Sequence, residues 1–198
     1  MNAHTRTMSG NSKRARARQL REAAGNNDPA GIDAALDGLK DIDFERTLNS
    51  GDFVGTTALH WAARRGRLEG TRHLLKLGAK IKTADNFQTP LHMLAESGAE
   101  GAHVLVEELV NAAPKILKAK DNMQNTALDR AKYLKNTEMV NAILSLYSAE
   151  EREANEADMS TRKSRGYFTT LLFGKQREDE EDSSATFSLL KPRNEVRV

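Results

Sequence analysis

The chain contains no cysteine, which removes disulfides, thiolate nucleophiles and cysteine-ligated zinc from consideration. Aromatic residues make up only 5% of its 198 residues, so any core must be aliphatic and rich in alanine. Charge of one sign is not in excess. Charged residues reach 29%, yet the net charge is only +2, and no global field draws the whole chain toward nucleic acid or a membrane. Nowhere do about eighteen apolar residues run together, and the N-terminal MNAHTRTMSGNSKRARARQ lacks the apolar stretch of a signal sequence. The chain therefore reads as soluble and intracellular, cytoplasmic, with a nuclear location left open. Also missing are a phosphate-cradling glycine loop, a nucleophile with a base at usable spacing and a set of metal ligands. No enzyme and no cofactor is expected.

What is present is a phrase that recurs. Thr57-Ala58-Leu59-His60 opens a stretch that passes through Ala62-Ala63 to a glycine turn at Gly66, then a leucine-rich segment ending at Gly78. Thr89-Pro90-Leu91-His92 restarts it thirty-two residues later, and Thr126-Ala127-Leu128-Asp129 restarts it again after thirty-seven. Self-similarity at a period near thirty-three residues marks a repeat array. With 38% apolar residues, the chain has enough for one modest array with tails.

Taken in order, residues 1 to 12 are polar and aperiodic and are expected to be disordered. Lys13 to Arg18 alternates basic residues with alanine and runs into Leu20, Ala23 and Ala24 at helical spacing, with Ser12 available as an N-cap. This segment is either a basic patch for nuclear import or phosphate binding, or the solvated face of a capping helix. Gly25 to Pro29 marks a turn, after which Ile32, Ala35, Leu36 and Leu39 share one face of a short helix. Asp41-Ile42-Asp43 is expected in the loop that follows. Thr57 and Thr89 are suited to cap helices, with Pro90 at a first helical position. Ala62 and Ala63 permit close helix packing. Gly66 and Gly78 fit left-handed turns, and Leu68, Leu74, Leu75 and Leu77 form a buried stripe.

His60 and His92 occupy equivalent places, with Asp129 at the third. Stacked repeats lie about 10 Å apart, whereas zinc needs ligands near 2 Å. The rings are instead expected to tie neighbouring loops together by hydrogen bonds. Farther on, Ala102, Val104, Leu105, Val106, Leu109 and Val110 predict a helix that Ala112-Ala113-Pro114 stops, and the residues before Asp121 read as an insertion. Thr126, Leu128, Ala131, Val140, Ile143 and Leu144 keep the pattern, while Arg130 and Lys132 break it as a C-terminal cap would.

Composition changes from Ser148. Glu150 to Asp158 is acidic and could prolong the last helix. Ser160 to Arg165 is basic. Tyr167, Phe168, Leu171, Leu172 and Phe173 form an apolar cluster, followed by an acidic run from Arg177 to Ser184. The tail reads as mostly disordered, its apolar segments either folding back as a cap or serving as short motifs. Phe187 to Leu190 would suit an autophagy-receptor groove and Val196 to Val198 a strand-adding domain.

Thr-[Pro/Ala]-Leu-His, two small residues, a glycine turn and Leu74-Leu75-Lys76-Leu77-Gly78-Ala79 together resemble the ankyrin repeat. The resemblance is strong over 55 to 92, fair over 93 to 146, weak over 13 to 54 and absent from the tail. It implies an all-α fold, a helix-turn-helix solenoid of about four repeats over 13 to 147 (13–54, 55–87, 88–124 and 125–147), whose projecting loops and concave groove bind other proteins. It carries no catalytic residues. The loop Asp85-Asn86-Phe87-Gln88 lacks the family's glycine, and Gln124 stands in for it before Thr126. A left-handed Gln124 would cost roughly 1 kcal/mol.

Two partner-binding surfaces are expected. Val54, Phe87 and Met123 form a fingertip column, each placed just before the glycine position. Apolar side chains there are contacts unless, as Phe87 could, they fold under the next finger. The second surface is the inner-helix column Trp61, Arg64, Arg65, Met93, Glu96, Ser97, Arg130, Tyr133 and Leu134, which the resemblance turns toward the groove. Trp61 either lines the groove or is buried against Met93. Tyr133 with Arg64, Arg65 and Arg130 would suit an acidic or aromatic-bearing peptide. The leading expectation is a monomeric, non-catalytic adaptor or inhibitor. A variant resembles small NF-kappa-B-type inhibitors, and an alternative is a nucleic-acid-associated regulator using Lys13 to Arg21.

Overall fold

The structure, a computed structural model, describes residues 10–152. Among them the chain forms nine α-helices and no strand: α1 (Gly10–Gly25), α2 (Pro29–Leu36), α3 (Asp41–Leu48), α4 (Ala58–Arg64), α5 (Leu68–Lys76), α6 (Pro90–Ala95), α7 (Leu105–Ala112), α8 (Ala127–Tyr133) and α9 (Thr137–Leu144). Short 3₁₀ turns at Ala102–Val104 and Pro114–Lys118 flank α7. Helices α1, α4, α6 and α8 stack in one row, and α2, α5, α7 and α9 stack behind them. The result is a helical solenoid of stacked antiparallel pairs.

Alanine sets the spacing of the front row. Ala24, Ala62, Ala63, Ala95 and Ala131 are completely buried where these helices meet, and a larger side chain would push the helices apart. Leucines fill the layer between rows: Leu20, Leu59, Leu74, Leu91, Leu94, Leu105, Leu109 and Leu128 are all buried, with Leu68, Leu75 and Leu77 packed against them.

Each pair turns sharply through a left-handed residue at an equivalent place, and the α6–α7 connection adds a second at Gly101. Asn27, Gly66, Gly98 and Lys135 hold the equivalent place, at φ of 60°, 60°, 58° and 56°. At Gly66 glycine is also required by space, since an added Cβ would stand 2.4 Å from the Ala99 Cβ.

Several expectations change. Helix α1 begins at Gly10, so Ser12 lies inside it and is no N-cap. Asp41-Ile42-Asp43 is not a loop but the first turn of α3. Its acidic start and Arg46 in the last turn suit the helix dipole, and Leu48 anchors it in the core. Pro114 ends α7 as expected, yet the insertion is not idle, because Ile116 and Leu117 are buried and the Leu117 carbonyl accepts a 2.9 Å hydrogen bond from the buried Tyr147 hydroxyl. Of the acidic segment Glu150 to Asp158, the part up to Arg152 is described and does not continue α9, and the rest lies outside the described residues. That helix ends at Leu144, and Ser148 starts a fresh turn in which its hydroxyl accepts from the Glu151 amide. The chain divides into compact units at Tyr147 and Ser148. The readings of residues 1–9 and of the segments containing Ser160 to Arg165, Tyr167 to Phe173, Arg177 to Ser184, Phe187 to Leu190 and Val196 to Val198 lie outside the described residues.

Candidate interaction surface

Three finger loops project from the front row, and each is built from the same backbone bonds. In the first, the Asp52 amide donates to the Thr56 carbonyl and the Gly55 amide to the Asp52 carbonyl; Ala84, Phe87 and Gln88 repeat this in the second, and Asp121, Gln124 and Asn125 in the third. Carboxylates brace the outer two. Asp52 Oδ1 accepts from the Val54 and Thr56 amides, and Asp121 Oδ1 from those of Met123 and Asn125. In the middle finger Ala84 stands in that place, and Asn86 Oδ1 accepts from the Gln88 amide instead. Adjacent fingers are laced by the Asp85 amide donating to the Val54 carbonyl and the Asn122 amide to the Asn86 carbonyl, both at 3.0 Å.

The histidines join these fingers to the helices. His60 Nδ1 accepts from the Thr57 amide at 3.2 Å, which closes a capping box, and Nε2 donates to the Gln88 carbonyl of the next finger at 3.2 Å. His92 repeats this with Thr89 and the Asn125 carbonyl. Both rings are fully buried. Burial is the main reason that the His60 pKa falls to about 4, and His92 is lowered for the same reason. Asp129 caps Thr126 but reaches no further finger, because none follows among the described residues.

The left-handed residue of each finger is Gly55, Phe87 and Gln124, with φ of 73°, 60° and 62°. Phe87 is thus not one residue before the glycine position but in it. The column beside Val54 and Met123 is completed by Asn86. Phe87 remains 59% exposed, so it does not fold under its neighbour. Phe53, which sequence reasoning passed over, is 95% exposed on the first finger; its place two residues before Gly55 was the available signal. The pattern Asp-x-x-x-x-Thr at Asp52 and Asp121 would likewise have marked the finger braces. Val54, with Thr56, Ala84, Asp85 and Asn86, lines a shallow depression of about 220 Å³ between the first two fingers.

On the inner helices the expected residues separate into groups. Trp61 is half-buried, its indole N–H directed at Asp52 Oδ2 at 3.4 Å. The Arg65 guanidinium covers its ring at 5.4 Å from the centroid and donates to the Gly25 carbonyl at the end of α1. Arg64 is exposed beside them. Met93 must be withdrawn from the surface: at 5% exposure it is core, held in the interior by the packing of α6 between α4 and α8. Glu96 and Arg130 form an ion pair, and Arg130 also binds Asp121, with Nε 2.8 Å from Oδ2. Asp121 is 1% exposed. Burial opposes its ionisation, but the Asn125 amide and the Arg130 guanidinium outweigh that and hold its pKa below the usual carboxylate value. Arg130 is therefore neutralised within the fold rather than offered to a partner. Glu96, Arg130, Tyr133 and Leu134 line an open depression of about 370 Å³, with Tyr133 48% and Leu134 49% exposed.

The basic segment is largely used within α1 and its neighbours. Lys13 pairs with Asp43 at 2.7 Å and Arg18 with Glu22 at 2.8 Å, while Arg16 donates to the carbonyls of Ala35 and Asp37 and Arg21 to that of Ser50. Among the described residues, no helix is long and apolar enough to cross a membrane.

Residues 54–87, from one fingertip to the next, match the family model of the ankyrin repeat. No curated protein matches the chain.

Proposed function

From the ankyrin repeat that residues 54–87 carry, a unit that generally mediates protein–protein interaction, we propose that the chain is a non-catalytic, monomeric adaptor or inhibitor working in the cytoplasm or nucleus. Its array runs over 13–147, in repeats 13–54, 55–87, 88–124 and 125–147. The partner protein is held by the fingers, through Val54, Phe87 and Met123 with Phe53 added, and by the inner face, through Trp61, Arg64, Arg65 and Tyr133, while Arg130 and Glu96 brace that face from within. The observation that carries this reading is the exposure of Phe53, Val54, Phe87 and Met123 along one row of finger loops. Large apolar side chains on loops braced by backbone hydrogen bonds are preorganised anchors. A partner resembling that of the NF-kappa-B-type inhibitors is one form of this reading. The nucleic-acid reading has less support, since Lys13, Arg16, Arg18 and Arg21 are engaged within the fold.

The test is affinity capture with the intact chain and with a variant carrying Phe87→Ala, Trp61→Ala and Tyr133→Ala, its folding checked by circular dichroism. The variant is expected to lose partners that the intact chain retains. A folded variant that keeps every one would reject this surface.

A further inference from the structure

Trp61, Arg64 and Arg65 lie at the end of α4 where Tyr133 and Leu134 lie at the end of α8, two helices along the front row. We propose that this end of the front row seats an extended peptide of one polarity, an acidic residue over α4 and an aromatic or aliphatic side chain over α8. The proposal deepens the interaction reading above and rests on it.

Charge supplies the direction. Arg64 is exposed beside Arg65, and Arg65 is fixed in place by the Gly25 carbonyl, the Asn26 side chain at 3.1 Å and the face of Trp61. Arg67 donates to the same Gly25 carbonyl at 3.1 Å. A carboxylate arriving here meets preorganised guanidinium groups that can bind it bidentately. Over α6 and α8 the balance differs. Arg130 is shared by Glu96 and Asp121, leaving that cluster with an excess of one negative charge. An acidic side chain finds no unmatched guanidinium in that cluster, while the open depression beside Tyr133 and Leu134 accepts an apolar one.

Geometry supplies the spacing. From α4 across α6 to α8 is two interhelix steps, roughly 20 Å at the usual separation of packed helices. An extended peptide rises about 3.3 Å per residue and so covers this in about six residues. The motif is therefore an acidic residue and a large apolar residue about six positions apart.

Trp61 is the only tryptophan of the chain and sits under Arg65, so its emission reports on the acidic end of the seat. The probes are fluorescein-labelled Asp-Asp-Gly-Ser-Gly-Ser-Gly-Phe-Leu, the same peptide with a single glycine as spacer, and a version beginning Lys-Lys. An unlabelled set serves for Trp61 emission. With the full chain, the first peptide is expected to raise anisotropy and shift Trp61 emission, and each of the other two to bind at least tenfold more weakly. Arg64→Glu and Leu134→Ser, both at exposed positions, should each weaken the first peptide at least fivefold, whereas Arg46→Glu on α3 should leave it unchanged. Equal binding of the acidic and basic peptides, indifference to the spacer, or no response of the folded chain at 1 mM peptide (roughly the weakest affinity worth calling specific) overturns the proposal. If the peptide fails while the triple variant above still loses its protein partners, the seat over α4 to α8 is wrong and the broader surface stands.

Discussion

The repeat of α4 and α5 and the repeat of α8 and α9 follow one plan with different residues, and the differences fall where a following repeat would stand. In the first, His60 both caps α4 and reaches the next finger; in the last, Asp129 caps α8, and no further finger follows among the described residues. Ala63 is sealed against the neighbouring helices, whereas Lys132 at the same place is half-exposed. Gly55 and Gly66 take up left-handed conformations without strain, while Gln124 and Lys135 adopt them with a Cβ. Internal repeats are constrained on two sides and terminal ones on a single side.

The largest effect that tests this contrast comes from exchanging the alanine and lysine. Ala63→Lys buries an unpaired charge between front-row helices and is expected to destabilise by about 4 kcal/mol. Lys132→Ala should change stability by less than about 0.5 kcal/mol. Urea midpoints with unchanged slopes would establish both values, and similar losses at the two sites would erase the distinction between inner and terminal repeats.

Next in size is the response to acid. His60 has a folded pKa of about 4 against about 6.5 in the unfolded chain. Its folded pKa is depressed, so the unfolded chain binds more protons throughout that window. Stability is therefore complete above about pH 6.5 and falls as pH drops toward 4, by about 3 kcal/mol for this ring. His92, shifted in the same direction, adds to the slope. Asp121 acts separately: its lowered pKa gives stability that persists until the pH falls below the ordinary carboxylate range. Stability measured from pH 7 to 4.5 should decline, and His60→Gln should start lower but decline less. A flat profile for the wild-type chain would contradict the buried, neutral rings.

The turn position gives a smaller effect of opposite signs. Gly66→Ala forces a Cβ against Ala99 and into a left-handed backbone, and should destabilise by about 2 kcal/mol. Lys135→Gly should stabilise by up to about 1 kcal/mol, as its φ of 56° is unfavourable for any residue with a Cβ. Thermal melts distinguish the two. Gain at Gly66 or loss at Lys135 would mean that their turns are not equivalent.

Much of the scaffold was legible because its residues report backbone needs directly. Thr57 and Thr89 cap, Ala62 and Ala63 pack, and the histidine rings bridge fingers, all from types whose chemistry leaves few options. Helix α3 was hidden because Asp41-Ile42-Asp43 has the look of a turn, and only its packing on α1 and α2 reveals a helix. The surface was harder to read. Met93 has the same sequence place as Trp61 and Arg130, and whether a side chain at that place tips in or out depends on its neighbours rather than on its own type. Arg130 looked like an offered cation because Asp121 and Glu96, nine and thirty-four residues away, could not be seen to converge on it. Phe87 was displaced by one because a phenylalanine was not expected to hold a glycine's conformation.

That last residue yields the smallest effect on stability and the most informative one for function. Phe87 and Gln124 occupy the same left-handed place in successive fingers, so Phe87→Gly and Gln124→Gly should each stabilise the fold by roughly 1 kcal/mol or less. Strain retained at a bulky, exposed residue is expected where a side chain serves another end. The two substitutions should then part company in binding: Phe87→Gly is expected to weaken partner capture at least tenfold, and Gln124→Gly to leave it within twofold. The readout is affinity for captured partner measured beside the melting temperature of each variant. If Phe87→Gly stabilises the chain and keeps full affinity, the phenylalanine is an unrelieved strain and not an anchor, and the fingertip surface must rest on Phe53, Val54 and Met123 alone.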